Sequence, residues 1–417
     1  MSSTALYRIR RATRRPWLRV AAFCGAGVAA ALASAFGAPL IPIEIARSIG
    51  ADAVDQILSV LATSMLPVAT FSLSIMVQAY GGATSNVTPR AVTLLMEDTR
   101  AQNAVASFIG AFVYSVVGLI ALKTHFYGDQ GRVILFGLTL VVLASVVVTL
   151  VRWIDTLAHL GRVGETVDAI EEAACAAIRR RAEAPYLGGL PWCPAPEGAI
   201  AVQAQSTGYI QHVDSGALEA LGEASDLVLH LAVLPGSFVH RGRLLVEIDG
   251  NPDAATLAGI TKAFVIGDRR SFDDDPRFGI IVLTEVASRG LSVAINDPGT
   301  PIDVIGTQVR VLTLWAECRA APTRGEIYPR LRVPGIEVAD LFADAFRPIG
   351  RDGAACAEVG VRLQKALAAL HAIGGPDFQA AARREADNAL ARAEKLLDLP
   401  DDLEVLRAAH ALVGHRG

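Results

Sequence analysis

Apolar residues in the first third of the chain gather into four long runs, at about 17–38, 56–79, 104–122 and 133–153. Each is near the roughly 20 residues that a helix needs to cross a bilayer. Their interiors carry no ionisable side chain apart from Arg19, near the start of the first. The pattern predicts four transmembrane helices. The second run is set apart by its hydroxyls, Thr63, Ser64, Thr70, Ser72 and Ser74, followed by Gln78, with Pro67 at its centre. Proline removes a backbone donor and kinks a helix, and nearby hydroxyls can satisfy the carbonyl it frees. Thr63, Ser64, Thr70, Ser74 and Gln78 are therefore the candidate polar path through the membrane. Small hydroxyl residues packed between helices are the competing reading. Gly110, Ala111, Ser115 and Gly118 in the third run read as close helix packing.

Between the second and third runs lies Gly81-Gly82, which suits a helix end, and then Thr88-Pro89, which suits an N-cap followed by proline at the first helical position. Nothing breaks the helix from 89 to 122, a length of about 50 Å at 1.5 Å per residue. Its first turns should project beyond a hydrocarbon core of about 30 Å. Asp98 and Gln102 would then sit near the membrane surface, as solvated residues or as an ion gate. After the fourth run, Val167, Ile170, Ala174, Ala177 and Ile178 keep helical spacing, with Gly161 and Gly164 as bend points.

Beyond a Pro/Gly-rich linker at 185–196 the pattern turns to short strands, at 208–210, 227–231, 235–239 and 244–248. From about 338 to 413 it is alanine-rich and helical: Leu363, Ala366, Leu367 and Leu370 share one face, and Ala389, Leu390, Ala393, Leu396 and Leu397 share another. The domain expectation is a four-helix transmembrane domain at 1–155 and a helical connector at 156–194. A small β-barrel-like segment at 195–250 and a mainly helical domain at 251–417 follow. The fold class is thus a membrane α-helical protein with a cytoplasmic α+β region and C-terminal helices.

Composition agrees with a membrane protein: of 417 residues 52% are hydrophobic, 19% charged and 6% aromatic, against roughly 45–50% apolar and 25% charged in soluble domains. Charge adds orientation. Arg8, Arg10, Arg11, Arg14, Arg15 and Arg19 precede or open the first run with no acid to offset them, which places that flank in the cytoplasm. Four crossings return the chain to the same side, where Arg152, Arg162 and Arg179-Arg180-Arg181 agree. The expected location is the bacterial inner membrane, with both termini cytoplasmic. Ala33-Ser34-Ala35 resembles a secretory cleavage site, but the apolar run is longer than a typical signal core, which favours an uncleaved anchor. A net charge of −4 leaves no basic field for nucleic acid. Thirty-four arginines against four lysines fit a G+C-rich coding bias.

Five scattered cysteines without a C-x-x-C pair, and dispersed histidines including His159, His212, His230 and His240, imply no zinc site and no cofactor. No ionisable group lies deep in the membrane runs, which argues against proton-coupled pumps and voltage sensors. There is no P-loop, G-x-S-x-G, H-E-x-x-H or Rossmann fingerprint. The remaining polar constellation is Arg269, Arg270, Asp273, Asn296 and Asp297, a candidate cytoplasmic pocket for an anionic ligand or a cation. Its bland counterpart is a turn in which Asn296 and Asp297 make Asx bonds before a helix capped at Thr300-Pro301.

Two stretches resemble known groups. Gly208-Tyr209-Ile210 followed by Pro235-Gly236-x-Phe238-Val239-x-x-Gly242-x-Leu244-Leu245-x-x-Ile248 resembles half of a biotinyl/lipoyl-type barrel, without the carrier lysine of those domains. The Thr88-Pro89-Arg90 joint, the four helices and Leu291-Ser292-Val293-Ala294-Ile295-Asn296-Asp297-Pro298 resemble the bacterial membrane-protein family catalogued as domain of unknown function 2254. Members of that family usually read Ser-Pro-Ala where Ser292-Val293-Ala294 stands. The resemblance implies architecture and no mechanism.

The first functional expectation is a homo-oligomeric channel-like or conductance protein coupled to its cytoplasmic domain. The alternative is a membrane-anchored cytoplasmic sensor or scaffold for a small ligand, and a membrane-bound hydrolase is a distant third. The expected partners are the lipid bilayer and, as an open question, further copies of the chain.

Overall fold

The computed structural model describes residues 3–5, 7, 13, 16–36, 51–96, 99–124, 126, 129–159, 161–320 and 328–414. The chain divides into two units. One comprises residues 9–85 and 92–165, the other residues 1–8, 86–91 and 166–417.

Four helices of the first unit are long and apolar enough to cross a membrane: α1 (Pro16–Phe36), α2 (Ala51–Asn86), α4 (Thr99–Lys123) and α5 (Asp129–His159), with the short α3 (Pro89–Met96) before α4. The apolar runs expected from the sequence fall on these four. The expected continuous helix from 89 is described as α3 and α4 on either side of residues 97–98; Asp98 lies outside the described residues. Helices in lipid gain little from apolar contact alone and pack through small residues that let backbones approach. Here Gly27 of α1 faces the Gly110 carbonyl of α4, where an added Cβ would stand 2.8 Å away. Gly118 similarly faces Leu58 and Leu135. The buried stripe of α2 includes Leu58, Leu61, Met65, Ala69, Ser72 and Met76, at spacings of three or four residues. Inside the bundle Tyr114 Oη lies 2.9 Å from Thr139 Oγ1, and at its surface Arg19 donates to Asn103 Oδ1 at 2.8 Å.

The second unit receives the chain through α6 (Val163–Glu183), after a turn at Gly161, whose φ of +84° favours glycine. Its strands are β1 (Leu190–Pro191), β2 (Ile200–Gln203), β3 (Gly208–Val213), β4 (Val228–Leu231), β5 (Phe238–Val239), β6 (Leu244–Asp249), β7 (Phe264–Gly267) and β8 (Leu331–Val333). They form a five-stranded sheet in the order β1-β8-β4-β6-β2 and a three-stranded sheet β5-β3-β7. In the larger sheet β8 runs parallel to both β1 and β4, and the other pairs are antiparallel. The expected barrel does not close. Its hairpin partners β4 and β6 do pair, Leu229 opposite Ile248. However, α7 (Ser215–Ala224) intervenes after β3, and β3 joins β5 and β7 instead. Together with α8 (Ala254–Lys262), the sheets bury Ile210, Leu218, Leu229, Leu231, Val246, Ile248, Ile260, Leu331 and Val333.

A helical layer follows: α9 (Pro276–Gly290), α10 (Gly299–Ala320), α11 (Val338–Asp352), α12 (Ala357–Ile373), α13 (Pro376–Ala393) and α14 (Pro400–Ala411). Phe342 stacks edge-on against Phe346 and Phe378, and all three rings are buried. Burying each is worth about 1.5–3 kcal/mol. Leu363, Ala366, Leu367 and Leu370 form the buried face that their spacing implied. Leu396 does not share the Ala389 face: α13 ends at Ala393 and Leu396 is exposed. Within the same unit, Thr88 and Arg90 bond to Glu285 of α9, and Arg90 N–H reaches the Thr88 hydroxyl, so the Thr-Pro joint does start a helix.

Candidate functional site

A cleft of about 580 Å³ opens in the second unit, within the 300–1,000 Å³ usual for small-molecule sites. Its walls come from the end of α6, the end of β3, the first turn of α7, Pro235, Asp274 and Tyr328, with Ser3 inside it.

Each wall is placed by a local rule. Asp214 follows β3 and caps α7, its Oδ1 accepting the Ala217 N–H at 3.1 Å. The turn Pro235-Gly236 needs glycine twice over: φ is +95°, and a Cβ there would collide with the Asp275 carboxylate. Asp275 in turn caps α9 through the Arg277 N–H and binds Arg270 Nε at 2.7 Å. Burial pushes the Asp275 carboxyl above its ordinary range despite the Arg270 guanidinium beside it. Burial likewise lowers Arg181 to about 10, against the pull of Asp274 and Asp275. Arg180 and Arg181 of α6 spend their donors on backbone carbonyls of the loop before α9, Arg180 Nε on Asp273 at 2.8 Å and Arg181 on Asp274 at 3.2 Å. These arginines therefore fasten the loop to α6.

The side chains facing the cleft are acceptor-rich. His212 Nδ1 lies 2.7 Å from Asp274 Oδ2, which assigns the Nδ1 proton to that bond and leaves Nε2 towards Ser3. Ser3 Oγ stands 2.9 Å from Nε2, and the Tyr7 ring stacks on the imidazole with centroids 4.9 Å apart. Asp214 Oδ2 accepts both the Thr4 N–H, at 2.9 Å, and the Thr4 hydroxyl, at 3.0 Å. Burial alone would raise the Asp214 carboxyl, but hydrogen bonds from Thr4, Ser3 and Ala217 outweigh it and hold the carboxyl below its ordinary range. Ser3, His212 and Asp274 have the connectivity of a nucleophile, its base and an orienting acid. Asp214 also takes a hydrogen bond from Ser3, so it competes with His212 for the Ser3 proton.

The expected polar constellation is split between two places. Arg269, Arg270 and Asp273 lie on the loop before α9: the Arg269 carbonyl accepts from Gln211, Arg270 binds Asp275, and Asp273 accepts from Ser271. Asn296 and Asp297 lie on the turn after α9, a helix of 15 residues, or about 22 Å. Asn296 adopts φ +51°, and Asp297 caps α10 by accepting the Gly299 and Thr300 N–H groups and the Thr300 hydroxyl. The helix thus starts two residues before the Thr300-Pro301 start read from the sequence. Among the described residues no three or more His, Cys, Asp or Glu side chains gather in a way that would hold a metal.

In the first unit, Thr63, Thr70, Ser74 and Gln78 are exposed and Ser64 is half-buried, opposite the buried stripe of α2. Thr63, Ser64 and Thr70 donate to carbonyls one turn back in their own helix, and Gln78 reaches Ser74 Oγ at 3.4 Å. The row shares one helix face. That face points away from the core of a single copy.

No signal in the sequence pointed to the cleft as such. Arg180 and Arg181 entered only as topological charge, His212 as one of several scattered histidines, and Asp214 not at all.

No solved structure matches the chain. Curated relatives include an uncharacterised protein of Mycobacterium bovis and one of Mycobacterium tuberculosis, each 25% identical over 268 residues, which is 60% of this chain and 50% of the relative. The chain therefore spans about half the length of the curated relatives it matches. A family model described as "Predicted membrane protein (DUF2254)" matches residues 13–369, from before α1 to within α12, and the chain belongs to that family of membrane proteins.

Proposed function

We propose that the chain is a membrane-anchored sensor: four helices hold it in the bacterial inner membrane, and the second unit, on the cytoplasmic side, takes a small ligand in its cleft. The observation that carries this reading is a cleft of about 580 Å³ lined by His212, Asp214 and Asp274, all acceptors, beside arginines already committed to the loop. Such a lining favours a neutral or cationic ligand that brings its own donors. An anionic ligand would meet two carboxylates. The arginine-rich flanks of the membrane helices support the cytoplasmic placement.

The test is thermal unfolding of the full chain in detergent with a panel of small amines, polyols and amino acids. A ligand at 100 times its Kd stabilises by about 2.7 kcal/mol, and Asp274→Asn should remove most of that gain. A panel that shifts the wild type and Asp274→Asn equally would sink the reading.

The outward row on α2 favours a second reading, a homo-oligomeric conductance pathway in which copies turn Thr63, Ser64, Thr70, Ser74 and Gln78 towards a common axis. Liposomes carrying the protein should then pass ions or small solutes, with flux changed by Thr70→Val or Gln78→Leu. Liposomes impermeable to a broad solute panel would eliminate it.

A further inference from the structure

Two acceptors of the cleft wall, Asp214 and His212, are already met by the chain itself, with Ser3 lining the open space beside them. Thr4 places its backbone N–H and its hydroxyl on the same oxygen, Asp214 Oδ2, at 2.9 and 3.0 Å, while the other oxygen is used by the α7 cap. These two donors are joined through Cα and Cβ, so the unit recognised is a vicinal N–H/O–H pair. Ser3 adds a hydroxyl at His212 Nε2 and Tyr7 adds a flat ring over the imidazole. Three neighbouring residues thus satisfy three separate recognition elements: a carboxylate oxygen, an imidazole nitrogen and an imidazole face. From this we infer that Ser3, Thr4 and Tyr7 are tethered occupants of the Asp214 and His212 recognition elements, in direct competition there with a ligand that carries a vicinal amino-alcohol or amido-alcohol group.

The inference rests on the ligand-binding reading above and names both its ligand chemistry and its regulation. Only residues 8–15 separate Tyr7 from Pro16, where α1 begins. A tether that short confers an effective concentration on the order of millimolar. A free ligand must displace the segment first, and its apparent affinity falls by the fraction of time the cleft stands open. Displacement frees a stretch of chain joined directly to the first membrane helix. Ligand binding would thereby act on the membrane unit through the chain itself.

The test uses the full chain in detergent micelles and two probes: a fluorescent octapeptide with the sequence of residues 1–8, and N-acetylthreonine amide as an unlabelled competitor. The double variant Ser3→Ala/Thr4→Val removes the cis hydroxyls. It should bind the octapeptide at least about tenfold more tightly than the wild type, in line with removal of a competing occupant. N-acetylthreonine amide should displace the peptide. Adding Asp214→Asn should abolish the gain, and asparagine is as good an N-cap as aspartate, so α7 is preserved.

Equal peptide affinity in the wild type and the double variant would overturn the inference, as would undiminished binding after Asp214→Asn. Absence of peptide binding to either form would overturn it too. If the double variant rejects the peptide but is still stabilised by a panel compound, this inference fails alone. If it binds neither, the sensor reading fails with it.

Discussion

Asp214, Asp275 and Asp297 each follow a strand or loop and each cap a helix, of α7, α9 and α10 respectively. Their second oxygens meet different surroundings, the one of Asp214 taking the Thr4 N–H and hydroxyl. Asp275 is buried against Arg270, and Asp297 closes on Thr300, so neither presents an open acceptor. Asp214 alone of the three faces the cleft. Asp297 is therefore a clean probe of capping. Chiefly the Thr300 hydroxyl, with the Thr300 and Gly299 N–H groups, holds its carboxyl below the ordinary value of 3.8. A depressed folded pKa gives stability that is full above the unfolded value and is lost as pH falls through the folded one. Asp297→Ala should accordingly cost about 1 kcal/mol near neutral pH. Chemical denaturation of the two proteins should give converging stabilities well below pH 3.8. A gap that persists undiminished in acid would mean the carboxylate charge is not what the cap uses.

At the scale of elements, legibility depended on how local the determining signal was. The four membrane helices were visible because about 20 consecutive apolar residues carry the whole signal. β4 and β6 were visible because a hairpin frame with Pro235-Gly236 lies between them. β8 was not, being three residues long and inserted between β1 and β4 from about 100 residues away along the chain. The same limit applied to the cleft: Ser3, His212 and Asp274 meet only after β3, β7 and the loop before α9 are in place. The α1–α4 crossing is an intermediate case, since Gly110 reads as packing material but its partner Gly27 does not announce itself. There the structure makes a differential prediction. A side chain at Gly27 meets the Gly110 carbonyl, whereas nothing lies within 4 Å of a Cβ at Gly25. Gly27→Val should destabilise the helical unit by about 1–3 kcal/mol through overpacking, and Gly25→Val should be close to neutral. Thermal unfolding in micelles compares them directly, and equal effects would contradict the crossing.

At the scale of the whole molecule, four crossings by these helices would set both flanks of the first unit on one side of the bilayer. The proposal that this side is the cytoplasm rests on the arginines. Arg8, Arg10, Arg11, Arg14, Arg15 and Arg19 lie at one flank and Arg152, Arg162 and Arg179-Arg180-Arg181 at the other, while the link between α4 and α5 carries only Lys123 and Arg132. Moving a cluster of arginines across the hydrocarbon core is far costlier than moving two basic residues, which is the physical content of the positive-inside bias. The proposed topology thus rests on two features together, the apolar excess for crossing and the charge asymmetry for direction. Cys193, exposed in the second unit, and Thr124, exposed at the end of α4, provide reporters on opposite sides. In intact spheroplasts a membrane-impermeant maleimide should label Thr124→Cys at once and reach Cys193 only after the membrane is permeabilised. The reverse order of labelling would place the cleft outside the cell, and a sensor of cytoplasmic ligands would then be ruled out.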